Sequence, residues 1–372
     1  MSASRAQQIF LETREKQVVR FKVAIISLRI NPAFIQHLIA YAKAVQELGG
    51  TADLLLDPTY RRFPELEQTA RVLYYGTDPL DPAWTHAIYL NVSLENRRVS
   101  AMLQVGGVRQ LYVYHEPWQM SLRYLLSEGL PDTAKALLAH RATVPVLKRA
   151  TAVVLESEFG LSVYRKNDAR INPRGVYYPQ IYDDDAVSCF PELLKSKRYF
   201  SFIGNPCKAH GFEQYIAFVT YCLQSNLDVE FMIACRQELS GIEKEPLFMA
   251  NAGKLKIRSG KPLSNDEMNR CYAESLCVWN LYRRSTQSGV LPKALMFGAP
   301  VVATRIGSFP EYIIDRHNGR FLTPDDHQGL VDAFHDFRAN RQLYGHHCRE
   351  TFLKTFYYRA RLDDLAALLE MR

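Results

Sequence analysis

Short unbroken apolar runs alternate along the chain with longer segments whose apolar residues recur at helical spacing. Val23–Leu28 is a continuous run of strand length, as a parallel strand covered on both faces requires. Asn31-Pro32 then pairs a capping residue with proline at the first helical position. Ile35, Leu38, Ile39, Ala42, Val45 and Leu48 mark one helical face before Gly49-Gly50 ends it. Ala52–Leu56 predicts the next strand and completes a β-α-β unit. Similar runs at Ala87–Leu90, Leu111–Tyr114, Ala152–Leu155 and Val176–Tyr177, with a helix over Asp132–Leu147, predict a doubly wound α/β domain.

The pattern breaks over residues 179–198, where Pro179, Asp183-Asp184-Asp185, Pro191 and Lys195-Ser-Lys-Arg198 form a polar, proline-punctuated stretch of the kind that joins domains. It then resumes, with strands expected at Tyr199–Gly204, Val229–Ala234, Leu255–Ile257, Leu276–Leu281, Pro300–Thr304 and Arg320–Leu322. Aromatic residues at helical spacing from Phe334 to Tyr358 are expected to pack in a core. A length of 372 residues, at about 100–200 residues per domain, agrees with two domains. The expected division is one α/β domain over 1–185, a second over 186–350, and a C-terminal helix over 351–372 that packs back on the first domain.

Charge adds little specificity. The net charge of +7 is spread evenly, 22 basic against 19 acidic residues over 1–190 and 24 against 20 over 191–372, without a basic tail. A nucleic-acid partner is therefore not expected, and contact with anionic lipid or phosphate-bearing substrates is favoured over it. All seven cysteines lie between positions 189 and 348, with no Cys-x-x-Cys pair, which favours reduced thiols in a cytoplasmic protein. No stretch approaches the roughly 18 apolar residues of a membrane span, so membrane contact is expected to be peripheral, at the inner face of the cytoplasmic membrane.

In open α/β sheets ligands sit beyond the carboxyl ends of strands, which directs attention to four loops. In Phe202-Ile-Gly-Asn-Pro-Cys-Lys-Ala-His-Gly211, Gly204 allows close backbone approach to an anion, with Asn205, Lys208 and His210 beside it. Arg283-Arg284 precede Ser285, Thr286, Gln287, Ser288 and Gly289, a polar loop feeding a helix from near Val290 to near Gly298 that carries Lys293; this is a candidate anion site. The third loop ends in Glu311 near a helix start. In the fourth, His115 and Glu116 emerge together at a strand end of the first half.

In order, these segments resemble the signature of the GT-B glycosyltransferases, specifically the large retaining family 4. That family carries Glu-Gly-Phe-Gly-(x)4-Glu-Ala-(x)3-Gly-x-Pro-Val, then Gly-x-x-Pro-Glu and an Asn-Gly turn. Here the stretch is Ser285-Thr-Gln-Ser-Gly-Val-Leu-Pro-Lys293-Ala-Leu-Met-Phe-Gly298-Ala-Pro300-Val, then Gly307-Ser-Phe-Pro310-Glu311 and Asn318-Gly319. The resemblance implies two Rossmann-like domains facing each other across a cleft and transfer from a nucleotide-diphosphate sugar to a glycan or lipid-linked acceptor in bacterial surface polysaccharide synthesis.

It further implies that the nucleotide sugar is a co-substrate, with no cofactor and no bound metal, so that Asp183–Asp185 is linker rather than a metal site. Lys208, His210, Arg284 and the 286–290 loop would stabilise the leaving diphosphate, with Gly204, Asn205, Arg283, Ser285, Lys293 and Glu311 also lining the donor site. His115 and Glu116 would position the sugar or acceptor. The chain departs from the family at both motif glutamates, replaced by Ser285 and Lys293, and places Asn205 and His210 where arginine and lysine are frequent. A catalytically weak binding or assembly subunit and a GT-B nucleotide-sugar epimerase are the alternatives.

Overall fold

A computed structural model describes residues 21–115, 117, 130–190 and 192–371. The chain divides into two compact units. The first contains the described residues up to Leu155 together with 163–181 and 361–371; the second contains 156–162 and 182–360, less residue 191.

The first unit is built on seven parallel strands: β1 (Lys22–Ser27), β2 (Thr51–Leu56), β3 (Arg71–Tyr74), β4 (His86–Tyr89), β5 (Arg109–Val113), β6 (Ala152–Leu155) and β7 (Gly175–Tyr177). Their order is β3-β2-β1-β4-β5-β6-β7. β1 outward from its first residue and all of β4 and β6 are buried, which is why they read as unbroken apolar runs. Asn31 caps as expected, its side chain accepting from the Ala33 amide at 3.1 Å, but a 3-10 turn over Pro32–Phe34 precedes the α-helix Ile35–Glu47. The helix expected over 132–147 spans Leu130–Arg149.

Six parallel strands form the second sheet: β8 (Tyr199–Ile203), β9 (Phe231–Ala234), β10 (Leu255–Arg258), β11 (Ser275–Asn280), β12 (Val301–Ala303) and β13 (Gly319–Phe321), in the order β10-β9-β8-β11-β12-β13. Alternation along the strands feeds two cores. Phe200, Phe202, Ile233 and Trp279 join one with Phe334 and Phe337, whereas Ile203, Ala234 and Val278 join the other with Phe352 and Phe356.

Besides the excursion of 156–162 into the second unit, the chain crosses between units at 181/182 and 360/361, where the sequence placed the divisions at 185/186 and 350/351. The reason is backbone pairing. The Tyr182 amide donates to the Phe356 carbonyl at 2.8 Å, and the Tyr358 amide to the Tyr182 carbonyl at 3.0 Å, which binds 182–185 to the second unit. The helix Arg341–Thr355 belongs to that unit, and the last helix, Leu362–Glu370, to the first, where its Leu369 carbonyl meets His86 Nε2 at 2.8 Å.

The polar stretch, read from sequence as a linker, is tied into the second unit by ion pairs. Asp184 forms a two-pronged ion pair with the buried guanidinium of Arg349, and Asp185 accepts from Lys293 Nζ at 2.6 Å and from Asn269 Nδ2 at 3.0 Å. Lys197 is 6% exposed, its ammonium donating to the Ser275 carbonyl at 3.0 Å. Burial pushes its pKa down to about 7, against a smaller upward effect of Cys348 and Cys277. A base depressed in the fold binds fewer protons folded than unfolded between pH 7 and about 10.5. Its contribution to stability therefore rises with pH through that window, by up to about 1.4 kcal/mol per pH unit. In denaturant melts from pH 7 to 10, Lys197→Met is expected to be stabilising at pH 7, with the gain shrinking as pH rises; a constant difference would contradict a neutralised Lys197.

Candidate functional site

In the second sheet the strand order reverses direction between β8 and β11, and the loops after those two strands meet beyond their carboxyl ends, at the topological switch point of an open α/β sheet. Residues 204–211 follow β8. Gly211 adopts φ 67°, and a Cβ there would stand 2.5 Å from the Leu281 carbonyl oxygen, so only glycine lets this loop pass so close to the end of β11. Arg283 donates its amide to the Ala209 carbonyl at 2.8 Å, and Trp279 Nε1 donates to the His210 carbonyl at 3.2 Å. The His210 ring stacks on Tyr282 at 4.4 Å, and its Nδ1 lies 2.9 Å from the Asn205 carbonyl. Gly204 lies against the helix that begins at Val290, a Cβ at Gly204 standing 3.7 Å from Val290 Cγ2.

The polar loop expected to lead into a helix does so. That helix spans Val290–Met296. Ser285 Oγ donates to the Gln287 carbonyl at 2.6 Å, and Ser288 Oγ accepts from the Val290 amide at 3.3 Å, so both hydroxyls shape the loop itself. Thr286 is buried, and Gly289 is exposed. The Ser285 carbonyl leaves no room for a side chain at Gly307, where a Cβ would come within 1.9 Å, so the third loop packs directly on the second. Lys208, Arg283 and Arg284 are all exposed, placing three cationic side chains on two loops that share backbone hydrogen bonds.

Two residues assigned to this site from sequence have other work. Lys293 points away from the loop into an internal cluster, donating to Asp185 at 2.6 Å and to Asn269 Oδ1 at 3.1 Å. Burial works to raise the Asp185 carboxyl, but the Lys293 charge and hydrogen bonds from Lys293, Asn269 and Asn265 outweigh it and hold it below the ordinary carboxylate range. Glu311 turns its carboxylate to the start of the helix Glu158–Asn167, accepting from the Glu158 amide at 2.9 Å and the Phe159 amide at 2.7 Å. Burial raises its pKa against the effect of those two amides.

In the first unit, His115 follows β5. Its Nε2 lies 2.6 Å from the Leu90 carbonyl, which follows β4, and its ring stacks on Phe34 at 4.5 Å. The His37 ring centroid is 6.2 Å away, with Nδ1 3.1 Å from the Ile181 carbonyl. His115 therefore stands at the switch point of the first sheet, beyond β1 and β4. Glu116 lies outside the described residues. Ser157 was missed: it is buried, donates to the Thr286 carbonyl at 3.2 Å and so touches the candidate loop. Its local signal, a cap-forming serine between a strand and a helix, does not disclose that distant partner.

Two parallel sheets in these orders make the GT-B fold, which solved structures share over most of the chain. Within the second unit, residues 197–340 match the family model described as Glycosyl transferases group 1. No curated protein matches the chain in sequence. A glycosyltransferase from Rickettsia africae is similar at a TM-score of 0.67 and 12% identity, covering 94% of this chain and 98% of that one. HepE from Anabaena in complex with UDP is similar at 0.68 and 14%, covering 94% and 99%. A TarM variant from S. aureus, in complex with fondaparinux, alpha-GlcNAc-glycerol and UDP, is similar at 0.71 and 8%, covering 94% and 100%.

Proposed function

We propose that the protein transfers a sugar from a nucleotide-diphosphate donor to a glycan or lipid-linked acceptor, with retention at the anomeric carbon and without a bound metal, in the synthesis of a bacterial surface polysaccharide. The observation that carries the donor assignment is the meeting of the 204–211 and 283–290 loops, with Lys208, Arg283 and Arg284 exposed on them, at the switch point of the group 1 domain. As the bond between the anomeric carbon and the phosphate oxygen breaks, negative charge grows on the departing diphosphate. Lys208, His210, the two arginines and the amides of residues 286–289 are suited to hold that charge. His115 takes the sugar or acceptor side. The resemblance to retaining enzymes supports substitution on the face from which the diphosphate leaves, with the acceptor hydroxyl as nucleophile and its proton passing to the departing phosphate oxygen. The donor is consumed as a co-substrate, and no cofactor is required.

Among the described residues no helix is long and apolar enough to cross a membrane and no cluster of metal-ligating side chains occurs. The evenly spread positive charge supports peripheral contact with anionic lipid, where lipid-linked acceptors reside. Stronger partitioning onto anionic than onto neutral vesicles at low salt is the expected outcome; equal partitioning would remove the membrane from the proposal.

A thermal-shift series tests the donor site. At least one of UDP, GDP, ADP and dTDP is expected to raise the melting temperature, since a ligand at about 100 times its Kd stabilises by about 2.7 kcal/mol. No response to any of the four would overturn the assignment. One observation favours the reading as a weak homologue, namely that Lys293, at the position of a motif glutamate, is held in an internal ion pair. Binding without any consumption of donor would select that reading.

A further inference from the structure

We propose that Ser157 and Glu311 are positioning residues, which set nucleotide affinity by holding the Thr286 backbone in place and not by touching the nucleotide. This rests on the donor-site reading of the 285–290 loop.

The helix Glu158–Asn167 begins with amides that have no partner within the helix. Glu311 accepts from the first two, those of Glu158 and Phe159, at 2.9 and 2.7 Å. Ser157 Oγ accepts from the Gly160 amide at 2.9 Å. The start of this helix is thus capped by one serine and by a carboxylate some 150 residues away in the chain, each of 152 and 153 positions of separation. Having accepted, the same serine hydroxyl donates its proton to the Thr286 carbonyl at 3.2 Å.

One hydroxyl therefore joins the helix start to the candidate donor loop, and a hydroxyl has a single proton to give. With the Gly160 amide occupying an acceptor position, that proton is directed toward Thr286. Neighbouring contacts reinforce the arrangement: Tyr312, adjacent to Glu311, donates its hydroxyl to the Glu156 carbonyl at 2.9 Å, and the close approach at Gly307 presses the third loop on Ser285. Ser157 and Thr286 are both buried, so water does not replace the bond when the serine is lost. Without it, the Thr286 carbonyl loses the Ser157 donor, one of the contacts that hold the peptide plane aiming the following amide.

The test is titration of the full chain with whichever of UDP, GDP, ADP and dTDP binds the unaltered protein best. Ser157→Ala is expected to weaken binding about tenfold, Ser157→Thr to restore it to within about threefold, and Ser162→Ala, exposed on the same helix, to leave it unchanged. In donor hydrolysis the Ser157→Ala change is expected mainly in KM, with kcat at saturating donor little altered. Should Ser157→Ala fail to fold, Glu311→Gln, which keeps one good acceptor for two amides, is expected to weaken binding in the same direction. Unaltered affinity in a folded Ser157→Ala protein, failure of threonine to rescue it, or unaltered affinity in Glu311→Gln where that variant stands in, overturns the inference and leaves the donor site standing. Absence of binding to all four nucleotides by the unaltered protein overturns both.

Discussion

Lys208→Ala is expected to lower the rate of donor consumption by about 10²-fold while weakening nucleoside diphosphate binding by only about tenfold. The asymmetry follows from when the charge develops. A bound nucleotide sugar already carries the charge of its two phosphates, but an additional negative charge appears on the departing oxygen only as the sugar leaves. A cation fixed at that oxygen contributes more to the transition state than to the ground state. Lys208 is exposed on the loop after β8, and the Ala209 carbonyl next to it is held by the Arg283 amide. Lys208→Arg is expected to recover part of the rate, because the charge returns on a wider, planar group. Initial rates of donor hydrolysis with each variant at low salt decide the matter; a Lys208→Ala rate within twofold of the unaltered protein would remove Lys208 from leaving-group stabilisation.

The second large effect concerns stability. Arg349→Met is expected to destabilise the second unit by about 3–5 kcal/mol, because it leaves the Asp184 carboxylate buried without its counter-charge. The side chains are 10% and 5% exposed, the guanidinium bonds both carboxylate oxygens, and its Nη1 also donates to the Met296 carbonyl at 3.0 Å. Its face lies 5.4 Å from the Phe190 ring and 5.5 Å from that of Phe352, so methionine keeps much of the packing and isolates the charge. At about 2–4 °C per kcal/mol for a unit of this size, the melting transition is expected to fall by about 10 °C. Adding Asp184→Asn to Arg349→Met is expected to recover a large part of the loss, since the unpaired charge is then gone. A single variant within 1 kcal/mol of the unaltered protein would show that water reaches the pair.

The interior strands of both sheets were legible because parallel strands covered on both faces must be apolar throughout. The strand that escaped, β3, lies at the edge of the first sheet, and its Arg71-Val-Leu-Tyr74 pattern carries only one fully buried side chain. The two loops of the candidate site, which the structure brings together, were legible for a related reason: glycine, lysine and a polar run directly after a strand are local features. The true surroundings of Lys293, Glu311 and Lys197 were not, because each depends on partners far away in the chain. Asp185 is 108 positions from Lys293, and Ser275 is 78 from Lys197. A carboxylate near a helix start looks the same in sequence whether it caps its own helix or another, and Glu311 does the latter.

Every cysteine of the chain lies in the second unit, five of them buried and two, Cys189 and Cys207, partly exposed. Burial raises the thiols of Cys222, Cys235, Cys271, Cys277 and Cys348, so they are poor nucleophiles in place. The distribution makes the two halves chemically distinguishable without any labelling design. An alkylating reagent added to the native protein is silent about the first sheet, and its uptake at the five interior sulfurs times the opening of the second alone.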